Sequence, residues 1–200
     1  MANNLCCIID ASGSMNVMRK HDQALKAATS LSLLSQSLTA RNANVLDVSS
    51  VDCWYWQQGL MSFRDFKGRP TGQANLQSLL SFLKEHCNDA ASGAEEVSFL
   101  LFTDGRFYDP EGLATVSAFW QQHPQLRLAI IGVGADQDSI ALRTIAGESG
   151  NVFTLQDIPA ALSYLHQRHL PTFSGVAAAI APLLEADEGN ADDEEDAWDA

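Results

Sequence analysis

The chain has 200 residues, 46% of them hydrophobic and 18% charged, which suits one packed domain rather than a chain disordered throughout. Its formal net charge is -13, from 12 Lys and Arg against 25 Asp and Glu, and this argues against a nucleic-acid backbone or an anionic membrane surface as the main partner. Nine of those acids fall in residues 185–200, which hold no base, so the body before them is close to neutral.

Leu5 to Asp10 is a short apolar run that ends in a polar loop, the pattern of a buried strand. A helix is predicted from about Asn16 to Ala40, where Ala24, Ala28, Leu31, Leu34 and Leu38 recur at helical spacing. Asn44 to Trp54 reads as a second strand, Gln57 to Gly59 as a turn, and Leu60 to Phe66 as a return strand. The breakers of Gly68 to Gly72 mark a loop. Leu76, Leu79, Leu80 and Leu83 give a helix ending near Cys87, and Val97 to Phe102 gives a strongly apolar strand followed by the turn Thr103-Asp104-Gly105. The remaining elements are a helix over 110–122 with Pro110 in its first turn, a strand over 126–133, a helix over 139–146 capped by Asp138, a strand over 151–155 and a helix over 158–169.

Strands alternate with helices, and most strands are apolar on both faces. The expected fold is therefore α/β, a doubly wound, mostly parallel sheet covered by helices on both faces, with the hairpin supplying one antiparallel strand. Residues 1–170 form the domain, 171–184 an apolar extension, and 185–200 an acidic, disordered tail. The N-terminus lacks the basic start and long apolar stretch of a signal peptide, and no run reaches the ~18 apolar residues of a membrane span. Cys6, Cys7, Cys53 and Cys87 form no CxxC pair and read as reduced, buried thiols of a cytoplasmic protein.

In a doubly wound sheet, ligands bind beyond the carboxyl ends of the strands, where the strand order reverses. Two loops expected there carry only hard oxygen donors: Asp10-Ala11-Ser12-Gly13-Ser14 after the first strand, and Thr103-Asp104-Gly105 after the fourth. Carboxylates and hydroxyls together suit a small hard divalent cation such as Mg²⁺. Neutral hydroxyls cancel little of its charge, so such an ion attracts one more anionic oxygen, which a partner's carboxylate can supply. The plainer alternative is a strand-to-helix turn with Asp10 or Ser14 as a cap.

These residues resemble the von Willebrand factor A (vWA) family. Asp10-Ala11-Ser12-Gly13-Ser14 matches its DxSxS motif, Thr103-Asp104-Gly105 its fourth-strand motif, and Leu142 to Leu155 is similar to its last helix-and-strand signature. The resemblance implies a six-stranded sheet with one antiparallel edge strand and a metal-ion-dependent adhesion site holding Mg²⁺ or Mn²⁺. It implies that Ser12 and Ser14 touch the ion, that Asp10 and Asp104 act mostly through water, and that a Thr from the loop before the third helix completes the set. Thr71 is the candidate, although aligning on Leu76 puts Ala74 at that position. The family resemblance further implies a small stand-alone bacterial adaptor working beside MoxR-type AAA+ ATPases or in stress clusters such as tellurium resistance.

A partner face has further candidates beside the acidic loops. Trp54, Tyr55 and Trp56 close the second strand, and Arg106 and Tyr108 follow the fourth-strand loop. Exposed Trp and Tyr are enriched at binding hot spots, whereas a self-packed hairpin is the plain alternative. The tail has three readings: Trp198 anchors it to a partner, a tail carboxylate enters a metal site, or it only solubilises. No nucleophile elbow, P-loop or complete dinucleotide fingerprint is present, so no catalysis is expected. The rival functions are a metal-dependent phosphoesterase using the same acidic loops and a metal-free structural subunit.

Overall fold

The computed structural model describes residues 2–40, 50–66, 68–91, 95–123, 126–147 and 151–166. The expected extension 171–184, the acidic tail, Trp198 and the first part of the second predicted strand lie outside the described residues. The strands are β1 (Ala2–Asp10), β2 (Ser50–Trp56), β3 (Leu60–Ser62), β4 (Glu95–Thr103), β5 (Arg127–Gly132) and β6 (Val152–Thr154). The helices are α1 (Lys20–Ala40), α2 (Leu76–Ala91), α3 (Pro110–Gln122), α4 (Ser139–Ala146) and α5 (Ile158–His166). They build one six-stranded sheet in the order β3-β2-β1-β4-β5-β6, parallel except for the β2–β3 hairpin. This is the mostly parallel, doubly wound architecture that the strand–helix alternation predicts.

The central strands are apolar on both faces because both faces are covered. In β1, Leu5, Cys7 and Ile9 pack with Ala24, Ala28 and Leu31 of α1 and with Ile158, Leu162 and Leu165 of α5. Cys6 and Ile8 point the other way, onto Leu79 and Leu83 of α2, Val116 of α3 and Leu142 of α4. The same alternation divides Leu100 and Phe102 from Phe99 and Leu101 in β4. None of the four cysteines forms a disulfide. Among the described residues, no helix is long and apolar enough to cross a membrane.

Two boundaries differ from the sequence expectation and matter for the site. The return strand ends at Ser62, because residues 63–65 turn: Asp65 N–H donates to the Ser62 carbonyl and the Ser62 hydroxyl to the Asp65 carboxylate. The first helix does not start at Asn16. Gly13–Arg19 is a 3-10 segment, kinked where Met18 and Arg19 take φ of 55° and 53°, and α1 begins only at Lys20. That kink turns Lys20 away from solvent and into the space above β4 and β5, where it is 0% exposed.

Candidate functional site

β1 and β4 are neighbouring parallel strands, and the chain winds outward in opposite directions from them, so their following loops leave the sheet side by side at the reversal of strand order. Asp10, at the end of β1, is buried and braces the two loops together. Its Oδ1 accepts the Ser12 N–H at 2.8 Å and its Oδ2 accepts the Thr103 hydroxyl at 2.6 Å. Beyond this brace the Ser12 and Ser14 hydroxyl oxygens lie 3.1 Å apart, and the Ser14 hydroxyl donates to Asp104 Oδ1 at 3.1 Å. The Arg106 N–H donates to the same carboxylate oxygen at 3.2 Å. Ser12, Ser14 and Asp104 are thus joined in one chain of hydrogen bonds from loops ninety positions apart in sequence.

The third loop is stitched to the first. Thr71 N–H donates to the Ala11 carbonyl at 3.0 Å and Gly13 N–H to the Gly72 carbonyl at 2.9 Å. The Thr71 hydroxyl itself accepts from Gln57 Nε2 at 2.7 Å and is not hydrogen-bonded to the Ser12–Ser14–Asp104 chain. Asn75 caps α2, its side chain accepting the Gln77 and Ser78 N–H groups, so Ala74 sits immediately before the cap and packs against the core with no hydroxyl to offer. Neither alignment of this loop adds an oxygen to the hydrogen-bonded chain.

Sequence reasoning missed Lys20. Its ammonium is 2.7 Å from Asp104 Oδ2, with both side chains 0% exposed, and 3.1 Å from both carboxylate oxygens of Asp136. Arg106 Nη2 reaches Asp136 Oδ2 at 2.7 Å. With the helix expected from Asn16, Lys20 falls past the first turn, and only the observed start of α1 at Lys20 puts its positive charge where the macrodipole disfavours it. Periodicity alone does not reveal the carboxylates that outweigh this.

The electrostatics follow from burial and from these partners. Burial pushes the Asp10 carboxyl up to about 6, against the opposing hydrogen bonds from Thr103 and Ser12 and with a smaller push from the Asp104 charge. The hydrogen bond from Lys20, aided by the Lys20 and Arg106 charges, holds Asp136 below the usual carboxylate range. Because the folded-state value of Asp10 lies above its unfolded value, its contribution to stability is present below about pH 4 and is lost as the pH rises through about 6. In the presence of a chelator, the wild type should therefore lose stability relative to Asp10→Asn between pH 4 and pH 7, by at most about 3 kcal/mol. Urea titrations of both proteins across that range check this. A wild-type-to-variant difference that stays flat with pH contradicts it.

The donor set was tested for a divalent ion by its spacing. Octahedral Mg²⁺ with bonds of about 2.1 Å has neighbouring oxygens about 3.0 Å apart. The Ser12–Ser14 and Ser14–Asp104 separations, both 3.1 Å, match two such edges, and every donor is a hard oxygen. Among the described residues no cluster of three or more His, Cys, Asp or Glu is placed to hold a metal. An ion here would depend on the serine hydroxyls.

The partner-face expectations divide. Trp56 is fully buried, with Nε1 donating to the Asn75 carbonyl at 2.8 Å, and Tyr55 is buried between Phe63 and Phe66. Trp54 packs edge-on against Phe82, with ring centroids 5.1 Å apart. Tyr55 and Trp56 are thus packed inside the fold and not on a free face, while Trp54 is half-buried against Phe82. Tyr108, by contrast, is 76% exposed and Arg106 is partly exposed. Val17, Met18 and Ile140 are also exposed, and all of them lie in loops or first helical turns at this same end of the sheet.

The family model for the von Willebrand factor type A domain matches residues 57–168. No curated protein matches the chain. Among solved structures, proximal thread matrix protein 1 from the mussel byssus superposes with a TM-score of 0.57 at 17% identity, covering 82% of this chain and 47% of that one. The manganese-loaded TRAP protein of Plasmodium vivax gives 0.55 at 16% identity, covering 92% and 73%. A von Willebrand factor type A protein from Catenulispora acidiphila gives 0.55 at 22% identity, covering 81% and 40%. The chain thus spans about half the length of the mussel protein and less of the Catenulispora one. These likenesses are of fold.

Proposed function

From the premise that this chain belongs to the von Willebrand factor type A domain family, whose members commonly mediate protein–protein interaction, some of them with a metal, we propose that it is an interaction module. It engages a protein partner through the loops after β1, β4 and β5. The observation that carries the proposal is the convergence of Ser12, Ser14 and Asp104 at an end of the sheet that also exposes Val17, Met18, Tyr108 and Ile140. A polar centre with exposed apolar and aromatic side chains at the same end of the molecule is the composition of a recognition surface.

The reading is cation-assisted. Ser12, Ser14 and Asp104 would hold Mg²⁺ or Mn²⁺, with Asp10 bracing the loops, and the fold shared with manganese-loaded TRAP supports this. When bound, the ion supplies a Lewis-acidic place for a partner's carboxylate. The chain's own groups do the rest. The Asp10 brace fixes the two loops, the Arg106 N–H and the Ser14 hydroxyl orient Asp104, and Tyr108 and Ile140 offer apolar contact. Thr71 contributes by tying its loop to Ala11. Members of this family are mostly interaction modules and not enzymes. By family analogy the partner is an AAA+ ATPase of the MoxR type in a bacterial cytoplasm.

A pull-down from native lysate tests this. Capture of a specific partner should be lost with EDTA and with Ser12→Ala or Ser14→Ala, and weakened several-fold by Ile140→Asp. Capture unaffected by all three treatments overturns the proposal.

A further inference from the structure

The interaction reading leaves Lys20 without a role. A fully buried ammonium costs several kcal/mol of hydration unless carboxylates replace the lost water. Here Asp104 and Asp136 do so. The side chain also has a slot made for it. Gly134 has φ +90°, and a Cβ there would lie 2.5 Å from Lys20 Cδ and 3.0 Å from Cγ. The stem of Lys20 thus lies against bare backbone just beyond the end of β5, and the ammonium is held in place rather than swinging in solvent.

The charges around this ammonium decide what else the site accepts. Asp104 and Asp136 are balanced by Lys20 and Arg106. A divalent ion added alone would leave this cluster positive, with its nearest carboxylate already shared with an ammonium. A carboxylate arriving with the ion offsets part of that charge. Without Lys20, the same acids would hold one more negative charge for the ion.

We propose that Lys20 makes cation binding conditional: its ammonium holds Asp104 and balances the loops on its own, so that a divalent ion enters beside Ser12 and Ser14 only together with a carboxylate from outside the chain. This rests on the cation-assisted reading above. It adds to it that ion and partner bind as a coupled pair, so the loops keep their shape while the ion is away. Lys20 is the residue that sets the coupling, acting through Asp104 on a ligand that it does not itself touch.

The test is a calorimetric titration of Mn²⁺ into the full chain, wild type and Lys20→Met, each with and without sodium acetate as the stand-in carboxylate. The Lys20→Met protein is expected to bind Mn²⁺ alone at least about tenfold more tightly than the wild type. The wild type is expected to tighten at least about tenfold with acetate, and the variant to gain far less. Asp104→Asn should abolish binding in both backgrounds. Should Lys20→Met not fold without an ion, Lys20→Gln keeps a donor for Asp104, and its thermal midpoint with and without Mn²⁺ gives a second readout. Equal Mn²⁺ affinity in wild type and variant, or no gain of the wild type from acetate, overturns the role of Lys20 and leaves the interaction reading standing. Absence of Mn²⁺ binding in every protein and condition overturns the cation-assisted reading itself.

Discussion

Asp104→Asn is expected to lower folding stability by about 3 kcal/mol, close to the low end of what breaking a buried ion pair costs. Asparagine keeps an oxygen for the Ser14 hydroxyl and for the Arg106 N–H, so the loop retains its hydrogen bonds. What is lost is the charge facing Lys20, whose ammonium sits 2.7 Å away with 0% exposure. Asp136 remains 3.1 Å from that ammonium, and its side chain is 26% exposed, so part of the compensation survives and the loss stays near the low end. Lys20→Met in the same chain should recover most of the deficit, since the uncompensated charge leaves with the lysine. Urea denaturation of the wild type, the two single variants and the double variant gives the coupling directly, and about 2 kcal/mol or more between the two positions is expected. An additive cycle would mean that Lys20 and Asp104 are merely adjacent.

The loops carrying Ser12, Ser14 and Asp104 were legible in the sequence because each follows an uninterrupted apolar run. Leu5 to Ile9 and Phe99 to Phe102 are buried on both faces, so the polar residues after them had to mark the ends of central strands. The α3 bounds and the Asp138 cap of α4 were legible for the same local reasons: a proline suited to a first turn and an aspartate whose side chain accepts the Ile140 and Ala141 N–H groups. Lys20 was not legible, since its burial depends on Asp104, Asp136 and Gly134, which lie 84 to 116 positions away. The burial of the aromatic run was not legible for a related reason. Alternation says that Tyr55 and Trp56 face opposite sides of β2, but only the packed hairpin and the α2 cap show both rings to be buried. Thr71 lies in a loop tied to Ala11, yet its hydroxyl is engaged by Gln57, a partner that the spacing of the motif gave no reason to name.

Gly134→Ala should be the second severe change, and it separates backbone strain from the clash with Lys20. A non-glycine residue at φ +90° costs about 1–2 kcal/mol on backbone grounds alone. The Lys20→Ala background is the reference for that part, because the positive φ remains there while the lysine stem is gone. At Gly134 the new Cβ would also lie 2.5 Å from Lys20 Cδ and 2.8 Å from Asp136 Oδ1. The lysine stem must then shift while its ammonium is still held by two carboxylates. The expected cost at Gly134 is about 3 kcal/mol or more in the wild type. In the Lys20→Ala background the Gly134 substitution should cost only about 1–2 kcal/mol. If Gly134→Ala costs the same whether or not Lys20 is present, the glycine serves the turn after β5 and not the lysine. The slot then gives no support to a fixed ammonium beside Asp104.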